Sequence, residues 1–248
     1  MSKWLVVVWA VFLGSVVGCS SSSKKVSFKS ESFKYGDKTR KYAVYTPAKY
    51  DASKRYPTVL FLHGLFESGN DGRGSTKVGI GPAIKEHPDR FNCIVIFAQT
   101  SSSWRDDDQL PLAIATLDDV SKRYSVDRSR VTVTGLSTGG AAVWKLGARY
   151  PGRFAALMPL CAFSSEEDVP NLTRYPIWAF HNRFDPFVGV WNTSGMASKV
   201  NSAGGHAKHT VYNGFGHNCW DEAYGDKDVV AWMQGQAKLD GPRFEQKR

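Results

Sequence analysis

The ten residues 131–140, VTVTGLSTGG, constrain the fold of this chain more than any other stretch. Val131, Thr132, Val133 and Thr134 favour an extended strand, which Gly135-Leu136-Ser137-Thr138-Gly139 interrupts, and small residues with helical spacing follow as far as Arg149. Strand, sharp turn and helix in that order lift a serine to the top of the turn. The glycines on either side leave no side chain to block an approach to Ser137. The helix that starts directly after it aims the Thr138 amide and the positive end of its dipole at any oxyanion formed there. The pattern predicts acyl transfer at Ser137. A Gly-rich turn without chemistry is the plain alternative, and the flanking strand and helix weigh against it.

The N-terminus differs in kind from the rest. Lys3 precedes an apolar and small run over residues 4–18, too short for a comfortable membrane span and suited to a secretory signal peptide. The run ends in Ser15-Val16-Val17-Gly18-Cys19, which resembles a bacterial lipobox. Cys19 is therefore expected to be lipidated and to attach an exported envelope protein to a membrane, with an ordinary signal cleavage as the alternative. Residues 19–25 then form the lipidated cysteine and a Ser-rich tether, and residues 26–248 a single catalytic domain. The formal net charge is +9, one less once Lys3 is removed. Its basic residues are scattered and no nucleic-acid motif accompanies them, so nucleic acid is not expected as a partner. A monomer is expected. Beyond Cys19 the cysteines are Cys93, Cys161 and Cys219. A Cys161–Cys219 disulfide is weighed there against buried free thiols, and no metal-ligand spacing is present.

Two β-like runs, 26–35 and 41–46, flank the turn residues Gly36-Asp37-Lys38 and read as a hairpin. Continuous apolar strands follow at 58–62 and 92–98, a helix at 110–124, and the strand and helix around Ser137. Further strands are expected at 154–160, 177–180 and 210–212, with helical segments at 196–203 and 226–237. Alternating strands and helices predict an α/β fold, a mainly parallel sheet covered on both faces, with ligands at the carboxyl ends of the strands.

A serine hydroxyl needs a base to take its proton, and the base needs a carboxylate to hold it. Six histidines compete: His63, His87, His181, His206, His209 and His217. In the chain order serine, acid, histidine, the base comes after the last strand, and His217 in the Gly214-Phe215-Gly216-His217 loop fits. The acid should follow the preceding strand. Asp185 stands there, while Glu166-Glu167-Asp168 reads better as a solvated acidic run. A second oxyanion donor is expected from the loop after an early strand, which points to the Leu65 amide in His63-Gly64-Leu65. His63 itself then braces the loop.

These residues resemble the serine carboxylesterase, phospholipase-like and predicted-peptidase branch of the α/β hydrolases, relatives of feruloyl esterases and polyhydroxybutyrate depolymerases. The resemblance rests on Phe61-Leu62-His63-Gly64, Gly135-Leu136-Ser137-Thr138-Gly139-Gly140, Tyr150-Pro151-Gly152-Arg153-Phe154, Pro159-Leu160-Cys161, Asp185 and Gly216-His217-Asn218-Cys219-Trp220. It implies an α/β-hydrolase fold, a Ser137, His217 and Asp185 triad, oxyanion amides at Leu65 and Thr138, and no cofactor or metal. One departure stands out: His181-Asn182 occupies the place of a His-Gly pair, and Asn182 is expected to enter the left-handed region there. The span between Cys161 and Ile177 is short for a lid, so the site should be open. Trp104 and Trp220 are candidate pocket walls, core packing being the alternative for both. An ester substrate, short-chain or carrying an aromatic or polysaccharide-linked acyl group, is expected. A peptidase on the same triad and a binding module without catalysis are the rivals.

Overall fold

A computed structural model describes residues 26–238. The signal run, Cys19 and the serine tether lie outside the described residues. The hairpin opens the chain: β1 (Lys29–Tyr35) turns through Gly36, at φ +57°, into β2 (Lys38–Tyr45). Next come β3 (Tyr56–Leu62), α1 (Ile80–Glu86), β4 (Ile94–Ala98), α2 (Leu110–Arg123), β5 (Val126–Leu136) and α3 (Thr138–Arg149). The remainder is β6 (Ala156–Leu160), α4 (Val169–Leu172), β7 (Pro176–Phe184), α5 (Trp191–Ser202), β8 (His206–Phe215), α6 (Trp220–Gly225) and α7 (Lys227–Gly235).

The strands form one sheet in the order β1-β2-β4-β3-β5-β6-β7-β8. Only the first two pairings are antiparallel; from β4 to β8 every neighbour is parallel. All six parallel strands therefore end on one edge, and the loops that leave them are brought together there.

Alternation along β3 shows how the sheet is covered. Leu60 and Leu62 pack on one side with Trp144, Leu112 and Met196 from α3, α2 and α5. Val59 and Phe61 pack on the other with Ile80, Ala223 and Val229 from α1, α6 and α7. Burying one such side chain contributes about 1.5–3 kcal/mol, so a core of this size can hold a strained turn at the sheet edge.

Some elements depart from the sequence reading. Helices α1 and α6 are too short to show a helical period. Helix α5 begins five residues before the expected Met196, because Asn192, Thr193, Ser194 and Gly195 are poor helix formers that hide its first turn.

Candidate active site

Ser137 sits between β5 and α3 at φ 55° and ψ −115°, a backbone conformation that costs a residue with a Cβ about 1–3 kcal/mol. Two hydrogen bonds hold it there: its N–H donates to Leu160 O (3.0 Å) and its carbonyl accepts from the Ala141 N–H (3.0 Å). The helix can start so close to the sheet only because of glycine. A Cβ on Gly139 would lie 2.2 Å from Leu62 O and 2.5 Å from His63 O, both unyielding backbone atoms.

The end of β3 supplies the opposing loop. A Cβ built on Gly64 would be 3.7 Å from the Ser137 Cβ, so the turn beginning at Leu65 lies beside Ser137. Leu65 and Thr138 are each the first residue of a helical turn, where an amide has no acceptor within its own helix and is available to an anion.

His63, fully buried, braces this loop. Its Nδ1–H donates to Gly64 O (2.6 Å), and its Nε2 accepts from the Thr100 N–H (3.2 Å). Burial pushes its pKa down to about 4, so the ring is neutral at physiological pH. Because the folded state takes up this proton only near pH 4 whereas the unfolded chain does so near 6.5, stability should fall as pH drops through that window. The loss expected is about 3 kcal/mol. Urea denaturation across pH 4–7 should show that slope flattened in His63→Gln relative to wild type.

On the far side of Ser137, Asp185 follows β7 and His217 follows β8. His217 Nδ1 donates to Asp185 Oδ2 at 2.6 Å. Asp185 Oδ1 accepts from the amides of Phe187 (2.9 Å) and Val188 (3.1 Å). Burial alone would raise the carboxyl, but the His217 bond and the two amides together hold it below the usual carboxylate range.

A further residue, which the sequence left without a role, completes this arrangement. His181 Nε2 faces Asp185 Oδ2 (3.2 Å) and Val188 O (2.9 Å), and Nδ1 accepts from the Thr193 hydroxyl (2.7 Å). Burial lowers its pKa against the opposing pull of the Val188 carbonyl and Asp185, so it is a neutral brace for Asp185. The neighbouring Asn182 is not left-handed, as expected, but extended within β7, because the positive φ values outside glycine among the described residues belong to Ser137 and Cys161.

Trp104 is not a pocket wall. Its indole is fully buried in the core and packs against His63 with ring centres 5.6 Å apart, behind the loop that follows β3. The ring joins Leu60, Leu62 and Trp144 in the cluster on one face of the sheet, where burial of so large an apolar surface outweighs its exposure over the site. Trp220 is half-buried and stands edge-on to His217 at 5.7 Å. It also lines a cleft of about 410 Å³ with Val78, Gly79 and Pro82.

At this edge lie the large exposed apolar side chains of the described residues: Leu65 and Phe66 after β3, Phe163 after β6, Phe184, Phe187 and Trp191 around Asp185, and Phe215 beside His217. Phe66 is 97% exposed. Phe184 and Phe215 stack at 4.6 Å, and Phe187 meets the His217 ring edge at 5.6 Å.

Cys161 and Cys219 are free, buried thiols, not a disulfide; burial first, and then the neighbouring Cys219 thiol, push the Cys161 thiol up. In the acidic run, Glu166 pairs with Lys199 as a surface residue would, but Asp168 is buried rather than solvated.

A family described as "Putative esterase" matches residues 34–240. The chain belongs to this esterase family. Membership and the mainly parallel eight-stranded sheet agree with an α/β-hydrolase fold. Among solved structures it is similar to a thermostable esterase, with 27% identity and a TM-score of 0.77 over 85% of this chain and 63% of that one. The chain thus spans less than two thirds of that esterase's length. A ferulic acid esterase shares the fold at 16% identity and TM-score 0.67, over 86% of this chain and 99% of that one. So does the acylaminoacyl peptidase of Pyrococcus horikoshii, at 12% identity and TM-score 0.66, over 90% and 43%.

Proposed function

We propose that this esterase-family protein is an exported serine hydrolase that cleaves carboxylic esters through an acyl-enzyme formed at Ser137. The observation that carries the reading is the 2.6 Å bond from His217 Nδ1 to a buried, multiply bonded Asp185, on the same sheet edge as the strained Ser137 turn. Ser137 Oγ attacks the ester carbonyl as His217 Nε2 takes its proton. Asp185 keeps the imidazole proton on Nδ1 and stabilises the imidazolium without itself being protonated. The amides of Leu65 and Thr138 hold the tetrahedral oxyanion, and loss of one such donor typically costs about 10²–10³ in kcat. His217 then returns the proton to the departing alkoxide, and water releases the acid by the same steps in reverse.

The surroundings of the site support one substrate class. An apolar, aromatic rim, with no lid across it among the described residues, suits an ester bearing a bulky apolar or aromatic group, including one attached to a polysaccharide, which can lie over the surface. The similarity in fold to ferulic acid esterases supports the same choice. The signal run and the lipobox-like Ser15-Val16-Val17-Gly18-Cys19 support attachment to the cell envelope through a lipidated Cys19.

The test is a panel of p-nitrophenyl esters from acetate to palmitate with methyl ferulate, together with a p-nitrophenyl phosphonate whose attachment site is located by peptide mass spectrometry. The expected result is turnover with a preference for aromatic or mid-length acyl groups, and one phosphonyl group per chain on Ser137. Labelling at another residue, or no ester turnover by folded protein alongside cleavage of acylated peptides, would overturn it.

A further inference from the structure

The loop that presents His217 is poorly suited to hold anything still. Gly214 and Gly216 precede the histidine, and Gly216 has φ +91°, so the backbone just before His217 has the widest conformational freedom a chain can have. A base that must meet the Ser137 proton within a few tenths of an ångström cannot rely on such a segment unaided.

What fixes the loop is Asn182. Its side chain leaves β7 on the side opposite His181, as alternation along a strand requires. Its Nδ2 donates two hydrogen bonds, to Gly216 O (3.0 Å) and to Asn218 O (3.0 Å), the carbonyls on either side of His217. Both partners are carbonyl oxygens, so the amide nitrogen must be the atom that faces them. The other end of the amide is held as well: a Cβ on Gly214 would lie 2.8 Å from Asn182 Oδ1, so the loop backbone rests directly on the amide plane. Asn182 is only 3% exposed, which leaves little water to compete for those carbonyls.

We infer that Asn182 is a positioning residue for the catalytic base: its carboxamide clamps the backbone on both sides of His217 and so holds the imidazole against Asp185. Two adjacent residues at the end of β7 then divide the work, His181 bracing the acid and Asn182 the base. A glycine at position 182, as in the His-Gly pair of the resembling family, would have no side chain to do this. The inference rests on the reading that His217 is the base.

The test compares Asn182→Gly, Asn182→Ala and Asn182→Asp with wild type, using p-nitrophenyl butyrate and with active sites counted by phosphonate titration. Asn182→Asp keeps the shape but sets oxygens against two carbonyls. In each variant kcat per active site should fall by about 10- to 100-fold with KM within about twofold, the mark of a misplaced catalytic group. The downfield proton resonance of the short His217 Nδ1–H to Asp185 bond should broaden or vanish at a pH where wild type shows it. A purely structural role would lower the melting temperature and the titrated fraction of active sites while leaving kcat per site and the resonance unchanged. That outcome in the variants that fold overturns the inference. Should His217→Ala retain wild-type turnover, the reading of His217 as base fails first, so the two failures are distinguishable.

Discussion

Ser137→Gly is expected to lose roughly 10⁵–10⁶-fold in kcat and at the same time to become more stable than wild type. The loss follows from the removal of the only oxygen that could form the acyl-enzyme in this scheme. The gain follows from the backbone. At φ 55° and ψ −115° the Ser137 Cβ is crowded, at a cost of about 1–3 kcal/mol, whereas glycine accepts that conformation freely. Glycine's greater freedom in the unfolded chain offsets about 0.5–1 kcal/mol of the relief. The net gain expected is about 1 kcal/mol, or about 2–4 °C in Tm for a domain of this size. Ser137→Ala is the control, equally inactive but with the Cβ retained, and should melt close to wild type. Calorimetry of the three proteins separates the two effects. If the glycine variant melts no higher than the alanine variant, the turn stores no strain, and its geometry is explained by hydrogen bonding to Leu160 and Ala141 alone.

That strain, and its position, could be read from the sequence, because VTVT followed by Gly-x-Ser-x-Gly admits few other conformations. Asp185 and His217 were legible for a related reason. Each follows a strand, and parallel strands carry whatever comes next to the same edge. The residues that support them were not legible. Trp104 also follows a strand, but nothing in the residue order says whether its indole turns outward over the site or inward beneath it; only the packing against His63 decides. His181 stood among six histidines with no feature to single it out, since its bond to Asp185 depends on how the loop 185–190 closes. Asn182 invited a backbone explanation because asparagine often takes left-handed φ, whereas it acts through its side chain. Asp168 reads with Glu166 and Glu167 as one solvated run, but the short turn that begins α4 buries it. Chain order fixes what lies at an edge, while side-chain direction there depends on contacts between loops distant in sequence.

Those loop contacts also give the site its likeness to a surface rather than a pocket. The exposed aromatic residues extend from Phe66 on one flank to Phe215 on the other, at the ends of β7 and β8 and in the segments that follow β3, β6 and β7. Each costs solubility and contributes nothing to the core, so their concentration around Ser137 needs a reason in binding. A substrate that lies across the rim would bury them, with the ester carbonyl directed at Leu65 and Thr138. A small acetyl ester would leave them in water and gain little, which is why activity should rise from acetate toward mid-length and aromatic acyl groups.

Asp185→Asn is expected to lower kcat by roughly 10⁴-fold while KM stays nearly constant. The replacement is isosteric and its remaining oxygen can keep the amides of Phe187 and Val188, so the loop should persist. The new NH₂ group would then face the His217 Nδ1–H, donor against donor. The imidazole escapes by moving its proton to Nε2 and accepting at Nδ1, which removes the lone pair that must take the Ser137 proton. His181 cannot rescue it, since its Nε2–H faces the same group. Stability should fall by about 1–2 kcal/mol at neutral pH, the usual cost of a mismatched buried bond. Because the Asp185 carboxyl lies below its ordinary value, its contribution is present above about pH 4 and lost as pH falls through the lowered value. The stability gap between wild type and variant should therefore narrow in acid. Steady-state kinetics at neutral pH and urea denaturation at pH 7 and pH 3 check both parts, with Asp168→Asn, a buried carboxylate of the neighbouring loop, expected to retain wild-type kcat. A loss of less than about tenfold in Asp185→Asn, or a comparable loss in Asp168→Asn, would mean that another carboxylate orients the base.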